Sequence, residues 1–169
     1  MPPAAIRKAT ADDVGLILAL VHELAAYEKE PDAVRAREED YVRDGFGAAP
    51  KFHVLIAEDV VTGESGAAER VPVGFAFYFF GYSTWLGRSV LKLEDLFVRP
   101  AARKNGTGRA LMQRLAEIAL AEGCTRFEWQ VLDWNTPAKE FYDRLGAKVL
   151  REWEQVRMTE PALSSLARR

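Results

Sequence analysis

"LFVRPAARKNGTGRALM", Leu96 to Met112, decides how the rest of the chain is read. An apolar run, an Arg and a Pro lead into a basic pair, Arg103 and Lys104. Asn105 follows, then two glycines two apart, Gly106 and Gly108, and at once a helix-like sequence. A strand that bends into a helix in this way gathers backbone amides at the helix N-terminus. Glycine lets the chain turn tightly and lets a ligand approach the main chain. Amides and helix dipole together suit an anion, and pyrophosphate is a common occupant. Arg103, Lys104 and Arg109 add complementary charge. Two familiar phosphate motifs do not apply. A P-loop needs Gly, four residues, then Gly-Lys-Ser/Thr. A dinucleotide fingerprint needs a third Gly where Leu111 stands. Taken alone, a short glycine pattern favours an ordinary turn that binds nothing.

The composition sets the frame for that bend. A chain of 169 residues, 49 % hydrophobic and 28 % charged, has the length and balance of one folded domain, 1–169. A net charge of −2 gives no reason to expect nucleic acid or an anionic membrane as partner. No apolar run reaches the roughly 20 residues of a membrane helix. "MPPAAIRKATADD" lacks the apolar core of a signal peptide. The single Cys124 excludes an internal disulfide and fits a reducing cytoplasm. Two histidines, His22 and His53, far apart in sequence give no basis for a metal site.

Working outward, "TADDVGLILALVHELAAYEK" carries Thr10 and Asp13 at capping-box spacing. Val14, Ile17, Leu18, Val21 and Leu24 then keep helical period. "AREEDYVRD" predicts a second, charged helix ended by Gly45. "KFHVLIAED" predicts a strand, "VTGESGAAER" a polar turn, and "VPVGFAFYFFGYSTW" a long strand. "SVLKLEDLFVRP" predicts another. After the bend, Leu111, Leu115, Ile118 and Ala119 mark a helix running to Gly123. "RFEWQVL" reads as a strand, Pro137 opens a short helix that Gly146 can cap, and "AKVLREWEQVRM" reads as a closing strand. The order is helix, helix, three strands, helix, strand, helix, strand. That is a mixed α/β domain, parallel where helices intervene.

"LEDLFV" followed by "RPAARKNGTG" resembles the GNAT acetyltransferase superfamily, whose acetyl-CoA signature Arg/Gln-x-x-Gly-x-Gly/Ala is carried by Arg103, Gly106 and Gly108. "VHELAAYEK", "DGFG", "GYSTWLGR", "VLDWN" and "FYDRLGA" occur in the order of its diamine acetyltransferase subfamily. That group includes spermidine/spermine and thialysine acetyltransferases, and "GYSTW" and "VLDWN" look closer to the thialysine type. Lys104-Asn105 departs from the Gly-aromatic or Gly-Gln pair of many relatives, and "EPALSSLARR" has no counterpart.

The resemblance implies a GNAT fold: a central mixed sheet, splayed at an acetyl-CoA wedge and flanked by helices. It places the pantetheine arm and acetyl carbonyl on Leu96, Phe97 and Val98, and the pyrophosphate on Lys104, Asn105, Gly106, Thr107, Gly108 and Arg109. Asn135, Thr136, Pro137 and Ala138 match coenzyme-contacting positions. Glu128, Trp129 and Gln130 would face the acetyl or acceptor region. Tyr27, Glu28, Glu94 and Glu154 match positions around the amine, where carboxylates and an aromatic face would suit a cation. Tyr142 matches the tyrosine near the thioester sulfur. Without the motif, Tyr142 reads as a core aromatic and each carboxylate as a surface charge.

The chemistry explains such a set. An alkyl ammonium with a pKa near 10.4 must lose a proton before it attacks, costing roughly 4–5 kcal/mol at pH 7. Glu94 is the candidate base and Tyr142 the candidate acid for the leaving thiolate. Asp95 should point away from Glu94 on a regular strand, as a salt-bridged or solvated carboxylate. Trp85 borders the entrance or belongs to the core; His22, His53 and Cys124 are structural. The function implied is acetyl transfer from acetyl-CoA, with no metal, by direct attack of a small primary amine in a ternary complex. The alternatives are a protein-lysine acetyltransferase and a non-catalytic acyl-CoA-binding module. Relatives are commonly homodimers that use C-terminal strands, a role open to "KVLREWEQVRM".

Overall fold

A computed structural model describes residues 4–62 and 67–168. Its chain divides into two compact units, Met1–Gln130 and Val131–Arg169. The first holds a five-stranded sheet in sequence order: β1 (Ala5–Lys8), β2 (His53–Thr62), β3 (Ala68–Ser83), β4 (Arg88–Val98) and β5 (Phe127–Trp129). Neighbours pair antiparallel from β1 to β4; β4 and β5, joined through a helix, are parallel. The mixed α/β class and its one parallel crossover are as expected. Of the polar turn expected across 61–70, residues 63–66 lie outside the described residues, as do 1–3 of the N-terminal stretch and 169.

Among the described residues this unit carries three α-helices: α1 (Val14–Tyr27), α2 (Glu38–Gly45) and α3 (Thr107–Ala121). The apolar stripe Val14, Ile17, Leu20 and Leu24 of α1 is buried with Tyr41 of α2 against Phe52, Val54, Ile56, Phe75 and Phe97. The buried side chains of α3 are Thr107, Leu111, Met112, Leu115 and Ala119, and this helix packs against β1 to β4. Ahead of α1, Asp13 accepts the Thr10 amide at 2.8 Å, the contact its spacing predicts. Arg7 of β1 donates to both oxygens of Asp13 and to Glu58, and so ties strand, turn and sheet together. The four-residue β1 carries no periodic signal of its own; pairing with Leu55–Glu58 creates it.

Two features of β4 shape the site. Its pairing with β5 covers only Leu91–Phe127, Lys92–Glu128 and Leu93–Trp129. From Glu94 to Val98, β4 has no strand on that side among the described residues. The pairing thus stops where the resemblance puts its splay, and β5 is shorter than "RFEWQVL" suggests. The second feature is a β-bulge. Phe77 faces Asp95 and Tyr78 faces Leu93, leaving Glu94 as the extra residue.

The second unit contains α4 (Thr136–Arg144) and α5 (Ala162–Ala167). Pro137 stands in the first turn of α4, and Gly146 ends it at φ +86°. The strand expected over Ala147–Met158 is not formed. A strand needs a ladder partner, and alternation alone supplies none. Trp153 and Val156 of this segment are 73 % and 93 % exposed. α5 lies in the tail for which the sequence offers no motif.

Candidate active site

The glycine bend forms where the sequence puts it. Gly106 precedes α3 at φ +85°, in the left-handed region that favours glycine. Lys104 takes φ +67°, a conformation few non-glycine residues adopt. The N-cap of α3 is Gly106, which has no side chain to cap the first-turn amides. Thr107 is 1 % exposed, and its Oγ1 has no hydrogen-bond partner among the described residues. Uncapped amides, an orphaned buried hydroxyl and the exposed Lys104 and Arg109 fit an anionic ligand. Asn105 is exposed beside them and Gly108 half-buried.

Arg103 lies differently. Its side chain folds back over the turn, and Nε donates to the Val98 carbonyl at 2.8 Å. The guanidinium carbon lies 4.6 Å from the Tyr27 ring centroid and 5.9 Å from that of Phe97. One of the chain's own cations thus covers a face of the Tyr27 ring. Leu96, Phe97 and Val98 pair with Ala76, Phe75 and Gly74 of β3. The approach is close: a Cβ on Gly74 would lie 2.5 Å from the Phe97 carbonyl oxygen. Just beyond, Arg99 Nη2 and Nε donate to Glu23 of α1 at 2.6 and 2.9 Å, and Nη1 donates to Pro72 O at 2.8 Å.

The bulge corrects the expectation for Asp95. Cross-strand neighbours share a face. Asp95 lies opposite Phe77, which packs against the α1–α2 core, so it stands on that face. Regular alternation would have placed it on the other face, with Leu93. Asp95 is half-buried, and no salt bridge reaches it among the described residues; it is neither of the two things expected. Burial, with repulsion from Glu94 and Glu28, pushes its carboxyl up to about 7. Glu28, just past the end of α1, is raised by burial, and the Tyr41 hydroxyl by burial and the Asp95 charge. Glu94 is exposed. The charges of Glu94 and Glu28 therefore both reach Asp95, on the strand that runs on past β5, and the sequence singled out only those two.

The remaining candidates divide. Glu128 is held between Lys92 and Arg126, so its charge is already matched. Trp129 is half-buried with its ring 4.8 Å from Phe127, and Gln130 is exposed. Trp85 is 94 % exposed, which removes the core reading. His22 is exposed, His53 lies against Tyr78 at 5.3 Å, and Cys124 is buried. In the second unit Asn135 Oδ1 accepts the Ala138 amide at 3.3 Å and so caps α4, which begins with Thr136 and Pro137. Tyr142 is half-buried on that helix with its ring 5.3 Å from Phe141, and Glu154 is exposed. Among the described residues no group of three or more His, Cys, Asp or Glu is arranged to hold a metal ion, and no helix is long and apolar enough to cross a membrane.

Comparison with known proteins places this architecture. The acetyltransferase (GNAT) family matches residues 18–147. A Mus musculus protein named thialysine N-epsilon-acetyltransferase is 42 % identical over 173 residues, covering 100 % of each chain. A Homo sapiens protein named spermidine/spermine N(1)-acetyltransferase-like protein 1 is 38 % identical over 165 residues, covering 96 % of this chain and 23 % of that one. Among solved structures, an integron cassette protein from the mobile metagenome of V. cholerae aligns over 100 % of both chains with a TM-score of 0.77 and 27 % identity. The chain belongs to the acetyltransferase (GNAT) family. It is an N-acetyltransferase, of a family that uses acetyl-CoA as co-substrate.

Proposed function

We propose that the protein acetylates the terminal primary amine of a small cationic acceptor, with a lysine-like amino acid such as thialysine favoured over a polyamine. The observation that carries this reading is that Glu94 and Glu28 both act on the half-buried Asp95, on β4 where its pairing with β5 has ended. Such a cluster favours a cation and disfavours an acidic acceptor. Similarity to the mouse thialysine enzyme along the whole chain supports the amino-acid preference.

Acetyl-CoA supplies the activated acetyl group. The uncapped amides of α3, Thr107 Oγ1, Lys104 and Arg109 would hold its phosphates, and Leu96–Val98 its extended arm. Glu94 is assigned as proton acceptor for the attacking ammonium: it is exposed, and the bulge frees it from the strand ladder. Removing that proton is the larger task, since a thiolate with a pKa around 8.5 leaves with little help. Tyr142 is assigned the acid role from its motif, and Glu28 and Tyr27 the acceptor side. Glu154 and Glu128–Gln130 remain acceptor-site candidates, and Asn135–Ala138 cofactor candidates, on the same motif grounds.

We read both units as one catalytic domain, because the family match crosses their boundary. We read the protein as a cytoplasmic homodimer that needs no metal. The exposed apolar side chains from Val149 to Met158 support the dimer, and the lone free Cys124 supports a reducing compartment.

The test is thiol release from acetyl-CoA across thialysine, lysine, putrescine, spermidine, spermine and a lysine-containing peptide. The highest kcat/KM is expected for thialysine. A peptide in first place would make the protein a protein-lysine acetyltransferase. Binding of acetyl-CoA without turnover on any acceptor would make it an acyl-CoA-binding module.

A further inference from the structure

We propose that Arg103 is a positioning residue that couples the acceptor side of the site to the cofactor side, acting through Tyr27. The inference rests on the functional reading above, in which Tyr27 and Glu28 face the acceptor and Leu96–Arg109 the cofactor.

Three elements meet at one guanidinium. Arg103 starts the bend; Val98, whose carbonyl accepts its Nε–H, ends β4; Tyr27, whose ring it covers, ends α1. Phe97 flanks the same group at 5.9 Å. Nε is thus engaged, and the plane of the group is held by two rings. The Nη1 and Nη2 groups have no protein acceptor among the described residues. A guanidinium with its fork free and its orientation fixed is preorganised for an anion, because the rotamer freedom it would otherwise lose on binding is already restricted.

The same contact constrains Tyr27. Glu28 follows it immediately, so the position of the ring and that of the acceptor-side carboxylate are set by one helix end. An anion that engages Arg103 favours the conformation in which the guanidinium lies over Tyr27. An acceptor that fixes Tyr27 and Glu28 favours that conformation too. Coupling of this kind is reciprocal in free energy. Its size is that of one partly desolvated cation–π contact, roughly threefold to tenfold in an equilibrium constant. Tyr27 thus serves both sides: its ring seats the guanidinium, and it stands next to the acceptor-side Glu28 at the end of α1.

The experiment is a double-mutant cycle on acetyl-CoA affinity by calorimetry, using Tyr27→Leu, Arg103→Met and the pair, with Tyr27→Phe as the conservative variant. Tyr27→Leu is expected to weaken acetyl-CoA binding roughly threefold to tenfold, and Tyr27→Phe to retain wild-type affinity. In the Arg103→Met background, Tyr27→Leu should cost nothing further. A merely structural role for Tyr27 gives the same loss in both backgrounds, and that result overturns the coupling. So does an unchanged affinity in Tyr27→Leu. Failure of the wild-type protein to bind acetyl-CoA overturns the functional reading as well; additive effects on a protein that binds it overturn the coupling alone.

Discussion

Asp95 shares the α1–α2 face of the sheet with Phe77, because a bulge at Glu94 interrupts the alternation that would have placed it with Leu93. In the folded chain Asp95 holds its proton up to about pH 7, against an ordinary 3.8. Between those values the unfolded chain has released the proton and the folded chain has not. Stability therefore falls as pH rises through this window. Asp13 acts in the opposite sense and elsewhere: Arg7 holds it at about 2, so its contribution is lost only as pH falls below about 4. Asp95→Asn should flatten the decline between pH 5 and pH 8, which is at most about 3 kcal/mol because part of the window lies below pH 5. Urea unfolding of both proteins at the two pH values measures it; equal slopes would rule out the raised pKa.

Thr107→Val exchanges an orphaned hydroxyl for a methyl of nearly the same shape. A buried polar group without a partner costs about 1–3 kcal/mol, so the ligand-free variant should melt higher than wild type. If the hydroxyl serves the anion, the gain from adding acetyl-CoA should shrink in the same variant. Thermal melts with and without acetyl-CoA read both effects.

Gly74→Ala tests how closely β3 and β4 approach. The new Cβ would meet two backbone atoms, Phe97 O at 2.5 Å and Val98 Cα at 3.1 Å, and neither can rotate away. A loss of about 1–3 kcal/mol in stability is expected, together with a raised acetyl-CoA KM, since the displaced residues lie on the proposed cofactor strand. A raised amine KM with acetyl-CoA unaffected would place the cofactor elsewhere.

Glu28→Gln keeps shape and removes charge. The amine KM should rise several-fold, on the order of 1–2 kcal/mol, with little change in the acetyl-CoA KM. Parallel changes in the two constants would take Glu28 out of the acceptor site.

Tyr142→Phe removes one hydroxyl from α4. Turnover should fall by about two orders of magnitude while acetyl-CoA still binds, as expected when a general acid is lost. Unchanged kcat would end its assignment.

Much of the fold was legible because its signals are local. The α1 stripe, the Gly45 stop, the Gly106 bend and the Gly146 end each follow from a few neighbouring residues. β1 was not legible, since four residues acquire strand geometry only from β2. The closing strand failed for the mirror-image reason: Ala147–Met158 alternates well but has no ladder to join. At the site, Arg103 and Glu94 could be read from motifs. Asp95 could not, because one extra residue in a strand reverses which face a side chain takes, and nothing in "LEDLFV" marks where that residue falls. The contact of Arg103 with Tyr27 joins positions 76 apart, beyond the reach of any periodicity.

Past Leu93, no strand among the described residues pairs with Glu94 to Val98 on the β5 side. An open strand is an invitation to any other chain with a strand to offer, and such edges are where proteins stick to one another. Here the opening begins with a bulge and two adjacent carboxylates, the features by which natural sheets turn intruding strands away. The arrangement proposed to suit an ammonium is thus also one that discourages pairing with a second copy of the chain. If Glu94 has its proposed role, a variant neutralising both carboxylates would lose an acceptor group and an obstacle to strand pairing together.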